Sequence, residues 1–301
     1  MKRVLVTGAT GFIGRHALPE LLARGYEVHA AGRHRVDDRR VHSHTADLLD
    51  AAATAVTVKA VQPTHLLHFA WYAEHGKFWN SAENFRWATA TMALLEAFHA
   101  AGGQRVVGAG TCAEYDWSQG RCDEVATPLK PATEYGACKN ATRMLLEAWC
   151  RHTSMSGAWG RIFHLYGPGE HPNRLVASII RALLADEDAL CTHGKQVRDF
   201  LHTADVAAAF VALLDSPVTG AVNIGSGQDV TIADVAGRIA AIVGKPERLK
   251  LGARPAPAGD PPRLVPATQR IFKEVGWKPR YDLDAGLRAT VDAWRQAPLT
   301  K

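Results

Sequence analysis

The chain has 301 residues, 47% of them hydrophobic and 22% charged, with a net charge of +5. That balance is ordinary for a soluble globular protein, and the length buries a core as one large or two closely packed domains. No Lys/Arg run exceeds a few residues, so mild attraction for anionic small molecules is expected and a nucleic-acid footprint is not. The densest charge cluster, Arg33-His34-Arg35 with Asp37-Asp38-Arg39-Arg40, is mixed in sign. Five scattered cysteines with no C-x-x-C spacing argue against a disulfide framework or a thiolate zinc site, and no metal is expected. No run reaches eighteen apolar residues, so no membrane span is expected. The first apolar run leads into a glycine turn and does not read as a signal peptide; a cytoplasmic location is the default.

In chain order, Val4-Leu5-Val6-Thr7 predicts a strand that ends in Gly8-Ala9-Thr10-Gly11-Phe12-Ile13-Gly14. An amphipathic helix follows from His16. Three glycines spaced three apart let a backbone approach a ligand with no Cβ in the way, and the helix start offers open N–H groups to a pyrophosphate. The spacing is G-x-x-G-x-x-G rather than G-x-G-x-x-G, yet the strand–turn–helix context is that of a dinucleotide site. Strands are then expected over 25–31, 41–44, 64–70 and 105–110, with helices over 50–61, around 87–98 and over 134–150. Residues 158–166 predict a sixth strand. This alternation means a parallel sheet with helices on both faces.

Past Gly167-Pro168-Gly169 the pattern loosens. Helices are expected over 175–184, 203–214 and 283–294, with a short strand over 221–224. The expected organisation is a dinucleotide-binding domain over 1–168, with returns near 200–226, and a smaller, mainly substrate-binding lobe over 169–301.

Tyr135 and Lys139 stand at i and i+4, on one helical face. A free phenol ionises near pH ~10. An ammonium about 4 Å away favours the phenolate by up to ~4 kcal/mol at an effective dielectric near 20. The pair is therefore expected to be a proton donor and acceptor usable near neutrality, with Lys139 also in reach of a ribose hydroxyl. Thr111, at the end of the preceding strand, sits where α/β sheets bind ligands.

With these residues in view, the chain resembles, from end to end, the extended short-chain dehydrogenases/reductases that act on nucleotide sugars. The resemblance is carried by the 7–14 turn, Asp47-Leu48, His68-Phe69-Ala70, Thr111 with Glu114-Tyr115, Tyr135…Lys139, Arg161, Tyr166-Gly167-Pro168-Gly169, Arg198-Asp199-Phe200, Asn223-Ile224-Gly225-Ser226-Gly227 and Gly276-Trp277-Lys278-Pro279. It implies a doubly wound Rossmann-type sheet with a C-terminal lobe, a nucleotide-sugar substrate and a homodimer. It also implies Thr111, Tyr135 and Lys139 as catalytic residues. The cofactor set it implies is Gly8, Thr10, Gly11, Phe12, Ile13, Gly14, Arg33, Asp47, Leu48, Phe69, Ala70, Tyr135 and Lys139. The substrate set is Trp71, Thr111, His164, Arg174, Arg198 and Arg263.

Departures from the family pattern narrow the reaction. Cys112-Ala113 stands where 4,6-dehydratases carry Asp-Glu, which argues against dehydration. His164 replaces a frequent Asn, Trp87 another, and Pro257 a phosphate-binding Arg for which Arg254 or Arg263 is the substitute. Cys112 and His171 are either an acid/base pair for epimerisation or, respectively, a packing thiol and a loop imidazole. The loop from Trp71 to Trp79 either walls the sugar pocket or packs the core.

The expected reaction is reduction of a nucleotide-linked 4-keto-6-deoxy sugar. Epimerisation with retained cofactor and a non-catalytic cofactor sensor are the alternatives. No carboxylate ends the second strand, where an NAD site expects one for the ribose 2′-OH. Arg33 stands there, so NADP(H) is expected over NAD(H), unless Arg33 only stacks on the adenine.

Overall fold

The computed structural model describes residues 2–296. Seven parallel strands form the main sheet: β1 (Arg3–Thr7), β2 (Glu27–Gly32), β3 (His42–Thr45), β4 (His65–His68), β5 (Arg105–Thr111), β6 (Ser156–Ile162) and β7 (Gly220–Ile224). Their order is β7-β6-β5-β4-β1-β2-β3, which reverses direction at β1 and places a crevice there, at the carboxyl ends of β1 and β4. The α/β, Rossmann-type doubly wound fold expected from the sequence is the fold observed.

The helices are α1 (Gly14–Ala23), α2 (Ala51–Val61), α3 (Glu83–Ala100), α4 (Glu134–Thr153), α5 (Leu175–Leu184), α6 (Thr203–Asp215), α7 (Ile232–Val243) and α8 (Leu283–Gln296). On one face of the sheet α1 and α6 pack together, and α2, α3 and α4 cover the other. Burial on both sides explains the unbroken apolarity of Val4-Leu5-Val6 and Leu66-Leu67. Helix ends are set locally. Asp50 caps α2 by accepting from the amides of Ala52 and Ala53, and left-handed Gln62 followed by Pro63 ends it.

Two features depart from the expected element pattern. The sixth strand is not continuous: after Ile162 the chain breaks at Phe163, and His164–Tyr166 leaves the main sheet to pair with Phe200–His202. Phe163 buries against Tyr115, Cys122 and Leu264, and that packing turns the backbone. The polar stretch near 197 belongs to a small sheet ordered Val230–Thr231, Val197–Arg198, Arg263–Pro266, Arg121–Cys122. Helix α7 was not among the expected elements. Its capping box, Thr231 with Asp234, was the signal for it. With α5 and α8 it builds a second core around Val176, Ile180, Ile239 and Leu287. Among the described residues, no helix is long and apolar enough to cross a membrane.

Candidate active site

The glycine turn follows β1 directly. Gly8 has φ +68°, and a Cβ there would lie 2.7 Å from the Ala70 amide nitrogen; one on Gly14 would lie 2.1 Å from the Gly8 carbonyl oxygen. Neither position accepts a side chain. Ile13 gives α1 no side-chain cap; the Arg15 and His16 amides turn back to the Gly11 and Ile13 carbonyls (3.3 and 3.0 Å), and the positive end of the helix dipole stands at the turn for an anion. Behind the turn, Thr7 Oγ1 bonds His68 Nδ1 (2.7 Å) and His68 Nε2 bonds Thr91 Oγ1 (3.0 Å), which clamps β1 to β4. Burial holds His68 neutral, pushing its pKa down to about 3.

This turn opens on a cleft lined by Gly8, Thr10 and Gly11 and by Arg33, Asp47 and Leu48. Arg33 is exposed and, among the described residues, has no ion-pair partner. A Cβ-free cradle at a helix start, in a cleft that runs to the end of β2, fits a dinucleotide. Phe69 edges onto Phe210, and Ala70 lines the cleft.

Thr111 ends β5 and Tyr135 begins α4, and Gly136 lets them meet. A Cβ at Gly136 would lie 2.2 Å from the Ala113 carbonyl oxygen, so only glycine permits α4 to seat against the 111–114 turn. Thr133 caps α4 through the Gly136 amide. Burial raises the Tyr135 pKa above its ordinary value, with Thr111 acting in the opposite direction. Phe78 and Trp79 pack edge-on to the Tyr135 ring, at 4.8 and 5.8 Å between centroids.

Lys139 is buried, and its Nζ donates to the Ala109 carbonyl at 2.8 Å. Burial lowers its pKa to about 7, and Glu114 works the other way. The expected direct lowering of the phenol's pKa by Lys139 is not what the geometry gives. The ammonium lies 6.0 Å from the Tyr135 ring centroid and spends its hydrogen bond elsewhere.

Glu114 holds the site together. Its Oε1 accepts from the Thr111 amide (2.9 Å) and Trp159 Nε1 (2.8 Å), and its Oε2 accepts from Arg161 Nε (2.7 Å). Arg161 also donates to the Tyr115 hydroxyl, which in turn donates to Asn223 Oδ1. The motif residues Glu114-Tyr115, Arg161 and Asn223 therefore form one buried network, a role that spacing alone did not reveal.

The expected substrate residues are only partly brought together. Burial first, and then the charges of Arg198 and Arg174, push the His164 pKa down to about 3. Its Nδ1 is buried without a partner. Arg198 pairs with Asp260 at 2.5 Å, and Arg174 with Glu170 at 3.3 Å. Burial raises the Glu170 pKa to about 7. Arg263 does not join them. Alternation along its strand buries Leu264 and turns Arg263 to the surface, where it pairs with Asp229, which Arg121 shares. Trp71 lies in the cofactor cleft over Lys139 rather than only on a sugar-facing wall. Burial pushes the Cys112 thiol up to about 12, and exposed His171 stacks on His75 at 4.6 Å.

Residues 4–225 match the model of a family described as NAD dependent epimerase/dehydratase. The chain is 29% identical to a dTDP-L-rhamnose 4-epimerase of Burkholderia thailandensis, over 95% of this chain and 93% of that protein. It is 27% identical to a UDP-glucose 4-epimerase of Rhizobium leguminosarum, over 96% of each. A Thermus thermophilus UDP-glucose 4-epimerase solved in complex with NAD superposes with a TM-score of 0.86, at 28% identity, covering 98% of this chain and 99% of that one.

Proposed function

Since the chain belongs to the NAD dependent epimerase/dehydratase family, we propose that it is a ketoreductase that acts with NADPH on a nucleotide-linked 4-keto-6-deoxy sugar. The observation that carries this reading is the convergence of Thr111, Tyr135 and Lys139 beside the glycine cradle. The bound nicotinamide supplies hydride to the keto carbon. Tyr135, kept protonated by burial, gives its proton to the forming alkoxide. Thr111 Oγ1 accepts from the Ala113 amide at 3.2 Å, which leaves its own proton free to point at the same oxygen. We assign Lys139, whose Nζ donates to the Ala109 carbonyl, to a hydroxyl of the cofactor ribose.

Elimination of water from the sugar needs a further acid/base beside the proposed Tyr135 proton donor. Cys112-Ala113 brings no carboxylate, and both oxygens of Glu114 are engaged by three donors. Phe78 and Trp79 give the Tyr135 side an apolar wall suited to a deoxygenated carbon. We assign the diphosphate to Arg198 and Arg174, from residues 169–301, together with His164. Arg198 exchanges Asp260 for the incoming phosphate. Exposed Phe85 on α3 and Met144 and Leu145 on α4 offer an apolar face for a homodimer.

The second reading, a 4-epimerase that retains its cofactor, is favoured by the 4-epimerases among the relatives. A panel of nucleotide-linked 4-keto sugars, followed by the absorbance of the reduced cofactor, separates the two. Stoichiometric oxidation of NADPH supports the reductase. Interconversion of 4-epimers with no net cofactor consumption replaces it with the epimerase.

A further inference from the structure

The opposite end of the sheet carries a second cluster of chemistry that the proposed reaction does not use. Strands β2 and β3 pair in parallel with His29 opposite His42. Alternation places Glu27 and His29 on one face of β2 and His42 and His44 on the same face of β3. Ligand atoms of Glu27, His29 and His42 all lie within 4.8 Å of one another. We propose that these three side chains form a site for a divalent transition-metal ion of the zinc class.

The surrounding contacts already orient the donors. His29 Nε2 lies 2.9 Å from Glu27 Oε1, and its other nitrogen, Nδ1, lies 2.9 Å from His44 Nε2. Because a carboxylate only accepts, His29 Nε2 carries the proton in the metal-free chain; a metal taken up at Nε2 would shift that proton to Nδ1, which then donates to His44 Nε2, the second N–H contact that a ligating imidazole characteristically makes. The carboxylate is likewise anchored: Arg3 Nε sits 3.1 Å from Glu27 Oε2, so Oε1 is the oxygen that faces the histidines.

His42 supplies the entry path. Its ring is exposed and stacked 23° from parallel on His29, at 4.7 Å between centroids, so a cation reaches both nitrogens once the outer ring turns. Two imidazoles and one carboxylate, with water completing the shell, suit zinc, nickel or copper. Arg3 offsets part of the carboxylate charge, which disfavours magnesium and calcium, the ions that rely on oxygen donors. No motif spacing announces this site, because strand register and not sequence separation assembles it. A bound ion would staple the edge strand β3 to β2.

The test is a calorimetric titration of the metal-free full chain, any affinity tag removed, with zinc chloride and separately with magnesium chloride. One saturating zinc per chain and a raised Tm are expected, with no heat from magnesium. His42→Ala, at an exposed position that folding does not need, and Glu27→Gln each weaken zinc about tenfold or more. His44→Ala, which removes only the orienting partner, costs about 10–100-fold. Cobalt in place of zinc develops visible absorption bands that His42→Ala abolishes. Zinc binding that is absent, or unchanged in His42→Ala, overturns the proposal. Neither result bears on the sugar-nucleotide reading, which this site does not touch.

Discussion

The Lys139 ammonium lies 3.8 Å from the centroid of the Trp71 indole, with a single hydrogen bond to the Ala109 carbonyl. The proposed contact of Lys139 with a cofactor ribose requires the face that the indole now covers. Trp71 Nε1 is itself held by Asn84 Oδ1 at 2.9 Å, so the ring has a second anchor. A desolvated cation–π contact is worth roughly 2 kcal/mol, and cofactor binding has to give it up. Trp71→Ala is therefore expected to bind reduced cofactor up to about thirtyfold more tightly, by fluorescence titration. Equal or weaker affinity would mean that the indole does not compete.

Burying Lys139 carries a pH-dependent cost. Its pKa falls from 10.5 to about 7 on folding, so below pH 7 both folded and unfolded chains are charged and the whole penalty, about 5 kcal/mol, is present. Between pH 7 and 10.5 the unfolded chain binds more protons than the folded one, and this group's contribution to stability rises with pH. Lys139→Met, which keeps the volume and removes the charge, should raise Tm at pH 6 and lose most of that advantage by pH 10, while turnover disappears. A Tm gain that is the same at both pH values would show that charge burial is not its source.

Tyr135→Phe removes one transferable proton and little else. A loss of about 10²–10⁴ in kcat is expected, with cofactor affinity retained. Turnover like that of the parent enzyme would take Tyr135 out of the mechanism.

Arg33 is exposed at the adenosine end of the cleft, where a charge-assisted bond to a 2′-phosphate is partly screened by water. Arg33→Ala should weaken NADPH roughly tenfold and NADH much less. If both cofactors weaken alike, the side chain stacks on adenine and the assignment to phosphate fails.

Glu114 and Arg161 are buried to 0% and 1% exposure, and the pair stands or falls together. Glu114→Gln leaves a guanidinium with no counter-charge in the core, at a cost of ~3–5 kcal/mol in urea unfolding. Since the same carboxylate fixes the Thr111 amide and favours the charged form of Lys139, the surviving folded enzyme should also show a shifted pH–rate profile. An unshifted profile would confine Glu114 to stability.

The main sheet was legible because Val4-Leu5-Val6, Leu66-Leu67 and Val106-Val107 are short apolar runs, each on a strand that leads on to a long helix. The proposed catalytic trio could be singled out because a strand end and one helical turn fix its spacing. Three things lay outside the reach of local pattern. The break at Phe163 is caused by packing against Tyr115 and Leu264, residues 48 and 101 positions away by number. The position of Trp71 follows from Asn84 and Lys139, which come to it from α3 and α4. The four-stranded sheet joins strands as short as two residues, too short for any period to register.

One consequence of the strand order concerns how the molecule is made. Strand β7 pairs with β6, and α6 packs against α1, yet nearly sixty residues, α5 of the second core among them, separate β6 from β7 in the chain. A nascent chain leaving the ribosome thus exposes Ala17, Leu18 and Leu21 of α1 long before Val206, Phe210 and Leu213 exist to cover them. Closure of the nucleotide-binding half must wait for residues that follow part of the other half, so the two cannot mature one after the other. A ribosome stalled at residue 168 should hold a protease-sensitive intermediate, and one stalled well beyond residue 224 should not.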